Sequence, residues 1–149
     1  MVAAQIEAVT SDMAVSAVKT GMLARPHTIL KVAELAERSH LPNLVVDPVL
    51  VSSTGHALME AGGADAYREA LLPHAIITTP NLREAAVLAN VDVRDIRTTE
   101  AMRELGQIIL SYGPTYVLIK GGHFAEGAVT ERNAPDLLLW RDGEEIFDA

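Results

Sequence analysis

The chain has 149 residues, 49% of them hydrophobic and 21% charged, which suits one packed domain or part of a larger one and excludes a disordered tract. A net charge of −8, with its 12 Lys and Arg scattered, excludes the basic footprint of a nucleic-acid binder. With no cysteine there is no disulfide, no thiolate zinc site and no cysteine nucleophile within the chain.

No apolar run approaches ~18 residues, so no segment reads as membrane-spanning, and no basic-then-apolar leader opens the chain. The composition reads as a soluble, cytoplasmic protein. His27, His40, His56, His74 and His123 lack metal-ligand spacing and read as surface or loop residues.

The opening "VAAQIEAVTSDM" predicts a helix with Val2, Ile6, Val9 and Met13 on one face. "SAVKTGML" predicts a short strand ending at Gly21. "RPHTILKVAELAERSH" predicts a helix with Pro26 in its first turn and Ile29, Val32, Ala33 and Ala36 as its buried stripe. "NLVVDPV" predicts a strand without alternation, as in a sheet covered on both faces. Helix "GADAYREALL" and strand "HAIITTP" follow. "NLREAAVLAN" predicts a helix capped at Asn90, and "TTEAMRELGQIILSYG" a longer one ending at Gly113-Pro114. "TYVLIKGG" is the next strand. "DLLLWRDGEEIFDA" predicts a hairpin turning at Asp142-Gly143. Two polar, Gly-bearing stretches, Ser52 to Gly63 and Glu126 to Pro135, read as long loops. Strands alternating with amphipathic helices predict an α/β fold, a mostly parallel sheet with helices on both faces.

Ligands of open α/β sheets bind beyond the carboxyl ends of the strands. Gly21 and Met22 follow the first strand, and Asp47, Pro48 and Val49 the second. Thr79, Pro80 and Asn81 follow the third, with Glu84 one turn on. Lys120, Gly121, Gly122 and His123 close the fourth. This set suits phosphate chemistry. Lys120 offers a point charge, and Gly121 and Gly122 let backbone amides approach an anion. Asp47, Asn81 and Glu84 offer oxygens for Mg²⁺ and phosphates, directly or through water.

Each residue also has a plain structural reading. Asp47 can be a turn residue before Pro48. Asn81 and Glu84 in "NLRE" form a capping box, a role compatible with holding a site-facing side chain. Lys120 can be a solvated strand end, and Met22 a core residue. No G-x-G-x-x-G follows a strand, and there is no G-x-x-x-x-G-K-[ST] and no G-x-S-x-G.

"AVKTGMLARP", "LVVDPVLVSSTG", "TPNLREA" and "YVLIKGGH" stand in the order and approximate spacing seen in hydroxymethylpyrimidine/phosphomethylpyrimidine kinases of thiamine biosynthesis. The chain resembles that family, of the ribokinase-like superfamily, over nearly its whole length. The resemblance implies phosphorylation of 4-amino-5-hydroxymethyl-2-methylpyrimidine and then of its monophosphate, with ATP and Mg²⁺. It implies that Met22 and Val49 line the pyrimidine pocket. It gives Asp47, Asn81, Glu84, Lys120, Gly121 and Gly122 to ATP and its Mg-phosphate group, with Asp47 and Glu84 meeting the metal directly or through water. A homodimer is the implied assembly.

The resemblance further implies that residues 1–149 are a single partial domain. In the family a Gly-rich substrate loop precedes this region. A Gly-Thr-Gly anion hole and the catalytic base, or its Cys equivalent, follow it, at positions beyond Ala149. No catalytic base is therefore expected within the chain. Loss of one such donor costs ~10²–10³ in rate, and loss of a base ~10²–10⁴. The chain alone is expected to be nearly or wholly inactive, and prone to self-association through uncovered edges and faces. Two other readings stand beside this one: a pyridoxal-type kinase of the same superfamily, and a non-catalytic remnant or interaction module that keeps nucleotide binding.

Overall fold

The computed structural model describes residues 2–38, 41–51, 58–123 and 133–147. Helix α1 (Val2–Asp12) leads into strand β1 (Val18–Thr20), and α2 (Pro26–Glu37) into β2 (Leu44–Val46). A helical segment then runs through α3 (Gly63–Ala66), a π-helical turn (Tyr67–Leu71) and a 3-10 turn (Leu72–His74) into β3 (Ile77–Thr78). α4 (Leu82–Ala89) and α5 (Thr99–Leu110) precede β4 (Tyr116–Ile119). The short β5 (Gly122–His123) and β6 (Asn133–Ala134) pair as a ribbon, and β7 (Asp136–Trp140) and β8 (Gly143–Phe147) complete the order.

The main sheet has six strands in the order β1-β2-β3-β4-β7-β8. β1 to β4 are parallel, whereas β7 and β8 return antiparallel. The α/β class and the parallel centre follow the sequence pattern. β1 to β4 are laid down side by side in chain order, and right-handed crossovers then place their helices on the same side. α5 shows which side: a Cβ built on Gly106 would lie 2.5 Å from Leu139 Cδ1 and 3.4 Å from Ile119 Cδ1. That face buries Val46, Thr78, Val117, Ile119, Leu137 and Leu139 beneath the helices. The opposite face carries Val45, Ile77, Leu118, Leu138 and Trp140 half-buried and Tyr116 exposed. Among the described residues the packing of α5 against β4 and β7 falls on the first of these faces.

Local chemistry explains most boundaries. Pro26 opens α2, whose buried residues are Ile29, Val32, Ala33 and Leu35, with Ala36 half-buried. Thr98 caps α5 by accepting the Ala101 N–H at 3.1 Å. Asn90 ends α4 in the left-handed conformation at φ 56°. The hairpin closes at Trp140 and Gly143, so its two loop residues are Arg141 and Asp142. Gly143 instead opens β8, where a Cβ would sit 2.7 Å from the Trp140 ring. Arg103 of α5 ties this hairpin down through Glu144, with N–O distances of 2.5 and 2.6 Å.

α1 forms where the periodicity predicts it, with Met13 just past its end. Its apolar stripe largely faces outward: Val2, Val9 and Met13 are exposed, and only Ile6, with Ala3, leans on the core. Periodicity identifies an apolar face but not what covers it. Residues 52–57 and 124–132, which hold half of the first expected loop and most of the second, lie outside the described residues, as do His40 and His56. Ala149, beyond which the anion hole and base are expected, also lies outside them, since the description ends at Phe147 in β8.

Gly106 offers a test of the helix-on-sheet contact. Gly106→Val inserts atoms where Leu139 already sits and is expected to cost about 1–3 kcal/mol by urea unfolding. Unchanged stability would contradict the packing.

Candidate active site

The parallel strands deliver their last residues to one edge of the sheet. β2 is apolar through Val46, and Asp47 stands immediately beyond it. The Val49 N–H donates to the Asp47 carbonyl at 3.0 Å, a tight turn over Pro48 that directs the chain away from the sheet. β3 and β4 remain zipped past their named ends. The Lys120 N–H donates to the Pro80 carbonyl at 2.8 Å, and Asn81 and Lys120 form a parallel bridge. The N-terminus of α4 is therefore fixed beside Lys120.

Asp47 is the centre of this edge. Lys120 Nζ donates to its Oδ1 at 3.2 Å. Lys19 Nζ donates to its Oδ2 at 2.8 Å and also reaches the Thr20 carbonyl at 3.3 Å. Burial pushes the Asp47 carboxyl up, but the Lys19 and Lys120 ammonium groups outweigh it and hold the group below the ordinary value of 3.8. Asp47 is ionised at neutral pH.

Asn81 and Glu84 form the capping box in full. Asn81 Oδ1 accepts the Glu84 N–H at 2.9 Å, and Glu84 Oε2 accepts the Asn81 N–H at 2.9 Å. Glu84 is 3% exposed. Burial pushes its carboxyl above 4.5, against the opposing pull of the Asn81 N–H and Lys120. The two carboxylates thus act with opposite sign on stability. Asp47 titrates lower in the folded state, so its contribution is full above 3.8 and disappears as pH falls through its own depressed value. Glu84 titrates higher when folded, so stability is lost as pH rises from 4.5 through its raised value. Carboxyl-carbon NMR titration is expected to place the Asp47 midpoint below 3.8 and that of Glu84 above 4.5. The reverse order would contradict the geometry.

Gly121 and Gly122 do different jobs. The Gly121 N–H donates to Asp136 Oδ1 at 2.6 Å, so the anion-donor role expected of it is taken by a carboxylate of this chain. A Cβ on Gly121 would lie 2.0 Å from the Ala134 carbonyl oxygen and 2.4 Å from that of Pro135. Only glycine allows that approach. Gly122 has φ +131° and open space where a Cβ would be. Met22, after β1, is 56% exposed, and Val49 is half-buried. Beneath the edge, the buried hydroxyls of Tyr67 and Thr20 have no hydrogen-bond partner among the described residues. Burial, with Asp47 and Glu84 adding to it, pushes the Tyr67 phenol up.

Asp47, Asn81, Glu84 and Lys120 therefore come together as expected, and two further residues join them. Lys19 lies inside β1 and reaches forward to Asp47, so counting only residues beyond the strand ends misses it. Asp136 begins the antiparallel β7, whose start lies at the edge where the parallel strands end. Among the described residues, no three His, Asp or Glu gather into a cation cage. Both Asp47 oxygens face lysines, and one Glu84 oxygen holds the helix cap. Such a set would suit Mg²⁺ brought in with phosphate, with Asp47 and Glu84 as the oxygens that would reach it.

Comparison with known proteins bears on the family and the fold. The phosphomethylpyrimidine kinase family matches residues 1–149. The hydroxymethylpyrimidine/phosphomethylpyrimidine kinase of Salmonella typhimurium is 38% identical over 148 residues, which are 99% of this chain and 53% of that protein. The phosphomethylpyrimidine kinase of Clostridium difficile 630 superposes with a TM-score of 0.85 at 33% identity, covering 99% of this chain and 60% of that one. An ADP complex of Bacillus subtilis pyridoxal kinase gives 0.80 at 34% identity, covering 98% of this chain and 51% of that one. The chain thus spans about half the length of the curated relative it matches. With its strand-end residues assembled at one sheet edge, the chain belongs to the phosphomethylpyrimidine kinase family.

Proposed function

We propose that the protein acts as an ATP-dependent kinase of 4-amino-5-hydroxymethyl-2-methylpyrimidine and of its monophosphate. One observation carries the reading within this family: Asp47 joined to Lys120 at the carboxyl edge of the parallel sheet, beside the Asn81–Glu84 box. Lys120 contacts ATP phosphate, its position fixed by its backbone bond to Pro80 and its ammonium group by Asp47. Asn81 and Glu84 hold the α4 N-terminus toward the same phosphates, where its N–H groups favour negative charge. Gly122 leaves room for close approach of the nucleotide. Met22 and Val49 line the pyrimidine side. Mg²⁺, when bound with ATP, offsets phosphate charge, and Asp47 and Glu84 steady its water shell.

The anion hole and base belong, in this reading, to a segment beyond Ala149, and the described residues supply the binding half of the site. A cytoplasmic location and a homodimer are part of the same proposal.

The pyridoxal kinase likeness favours a second reading, with pyridoxal as acceptor. Calorimetric titration of the complete gene product with each acceptor separates the two. The hydroxymethylpyrimidine is expected to bind at least about tenfold more tightly, equivalent to ~1.4 kcal/mol. Preference for pyridoxal would establish the second reading instead. Mg-ATP binding with no turnover of either acceptor would point to a non-catalytic remnant.

A further inference from the structure

Asp47 is shared by two lysines, and Glu84 stands within electrostatic reach of Lys120, so Lys19 is the lysine without a carboxylate of its own. The lysines approach from opposite flanks. Lys120 follows β4, next to Gly121, Gly122 and the α4 cap. Lys19 belongs to β1, the other side of β2, next to Gly21 and Met22. The Lys19 side chain is 58% exposed. A Cβ built on Gly21 would meet nothing within 4 Å, so open space lies beside it. An exposed lysine–carboxylate pair is weak, so Lys19 can leave Asp47 for a stronger anion with little penalty. Asp47 would keep Lys120 as its partner.

The proposed reaction supplies such an anion. Its second acceptor carries a phosphate ester of nearly two negative charges at neutral pH, where the first carries only a hydroxyl. That phosphate must be neutralised on the acceptor flank while Lys120 serves the nucleotide. We propose that Lys19 is the acceptor-phosphate contact, resting on Asp47 until a phosphorylated pyrimidine enters and then moving onto its phosphate oxygens. Lys19 is in this account a specificity-determining residue that separates the second phosphorylation from the first. The inference rests on the kinase reading above.

The test uses the complete gene product with Lys19→Gln and Lys19→Arg. Dissociation constants are measured by calorimetry for hydroxymethylpyrimidine, for its monophosphate and for Mg-ATP. Loss of a charge-assisted hydrogen bond to phosphate is expected to weaken the monophosphate by about 10- to 100-fold in Lys19→Gln. The unphosphorylated pyrimidine and Mg-ATP are expected to stay within about threefold, and Lys19→Arg to recover most of the loss. A merely structural ion pair would give no loss confined to the monophosphate, because disturbing Asp47 acts through Lys120 on the Mg-ATP side. Equal loss for both pyrimidines, loss confined to Mg-ATP, or no loss at all overturns the inference while leaving the kinase reading intact. Failure of the unsubstituted protein to bind either pyrimidine overturns the reading, and the inference with it.

Discussion

The Asp47→Asn variant of the complete gene product is expected to lose most of its turnover, with kcat lower by about 100-fold or more. Asparagine keeps the size of the side chain and one carbonyl oxygen. It presents an amide N–H₂ to an ammonium group, since Lys19 and Lys120 approach different oxygens of Asp47. Whichever way the amide is oriented, one lysine meets a donor instead of an acceptor. Two lysines are then left without their shared counter-charge, and neither is held at its present place. Proper placement of charge around transferring phosphates supplies most of the catalysis in phosphoryl transfer, so the penalty falls on the chemical step. Both phosphorylation steps are expected to suffer, unlike the one-step effect argued for Lys19. Steady-state kinetics with both acceptors gives the answer, with circular dichroism confirming the fold. Turnover within about threefold of the unsubstituted protein would remove Asp47 from the site.

Gly121→Ala is expected to be nearly as damaging, although it changes no charge. The new methyl would meet the carbonyl oxygens of Ala134 and Pro135, which are backbone atoms and cannot rotate aside. The β5–β6 ribbon must move, or the Gly121 N–H must leave Asp136. Either response shifts Lys120 relative to Asp47. A misplacement of about 1 Å can cost ~10² in rate, and kcat/KM for ATP is expected to fall by about that factor. Gly122→Ala is a comparison for packing only, since Gly122 also borders the nucleotide in this reading. Its Cβ enters open space, and only its φ of +131° opposes the change, at about 1 kcal/mol of strain. A Gly121 variant as active as the unsubstituted protein would contradict the proposed packing.

Much of this site was legible in the order of residues. "LVVDPV" announced a buried parallel strand with a carboxylate at its tip, because an unalternating apolar run followed by Asp-Pro has few other readings. The Asn81–Glu84 box and the Asn90 cap were equally clear, since caps depend on near neighbours and survive without tertiary context. What escaped depends on contacts distant in sequence. Lys19 precedes Asp47 by 28 residues and meets it only because β1 and β2 are parallel neighbours. Asp136 reaches the edge because β7 runs antiparallel, which places the start of one strand beside the ends of others. The same bond changed the reading of Gly121, from an amide awaiting phosphate to one already held. In fold, the alternation of elements gave the class and the strand directions. It left open what covers each apolar helix face. The outward stripe of α1 makes the same point.

The most direct measurement is ATP-dependent phosphorylation by the complete gene product, followed by ³¹P NMR. The account predicts Mg²⁺-dependent conversion of hydroxymethylpyrimidine to its monophosphate and then its diphosphate. Product that accumulates only from pyridoxal, or no phosphorylated product from either acceptor despite bound Mg-ATP, would contradict it.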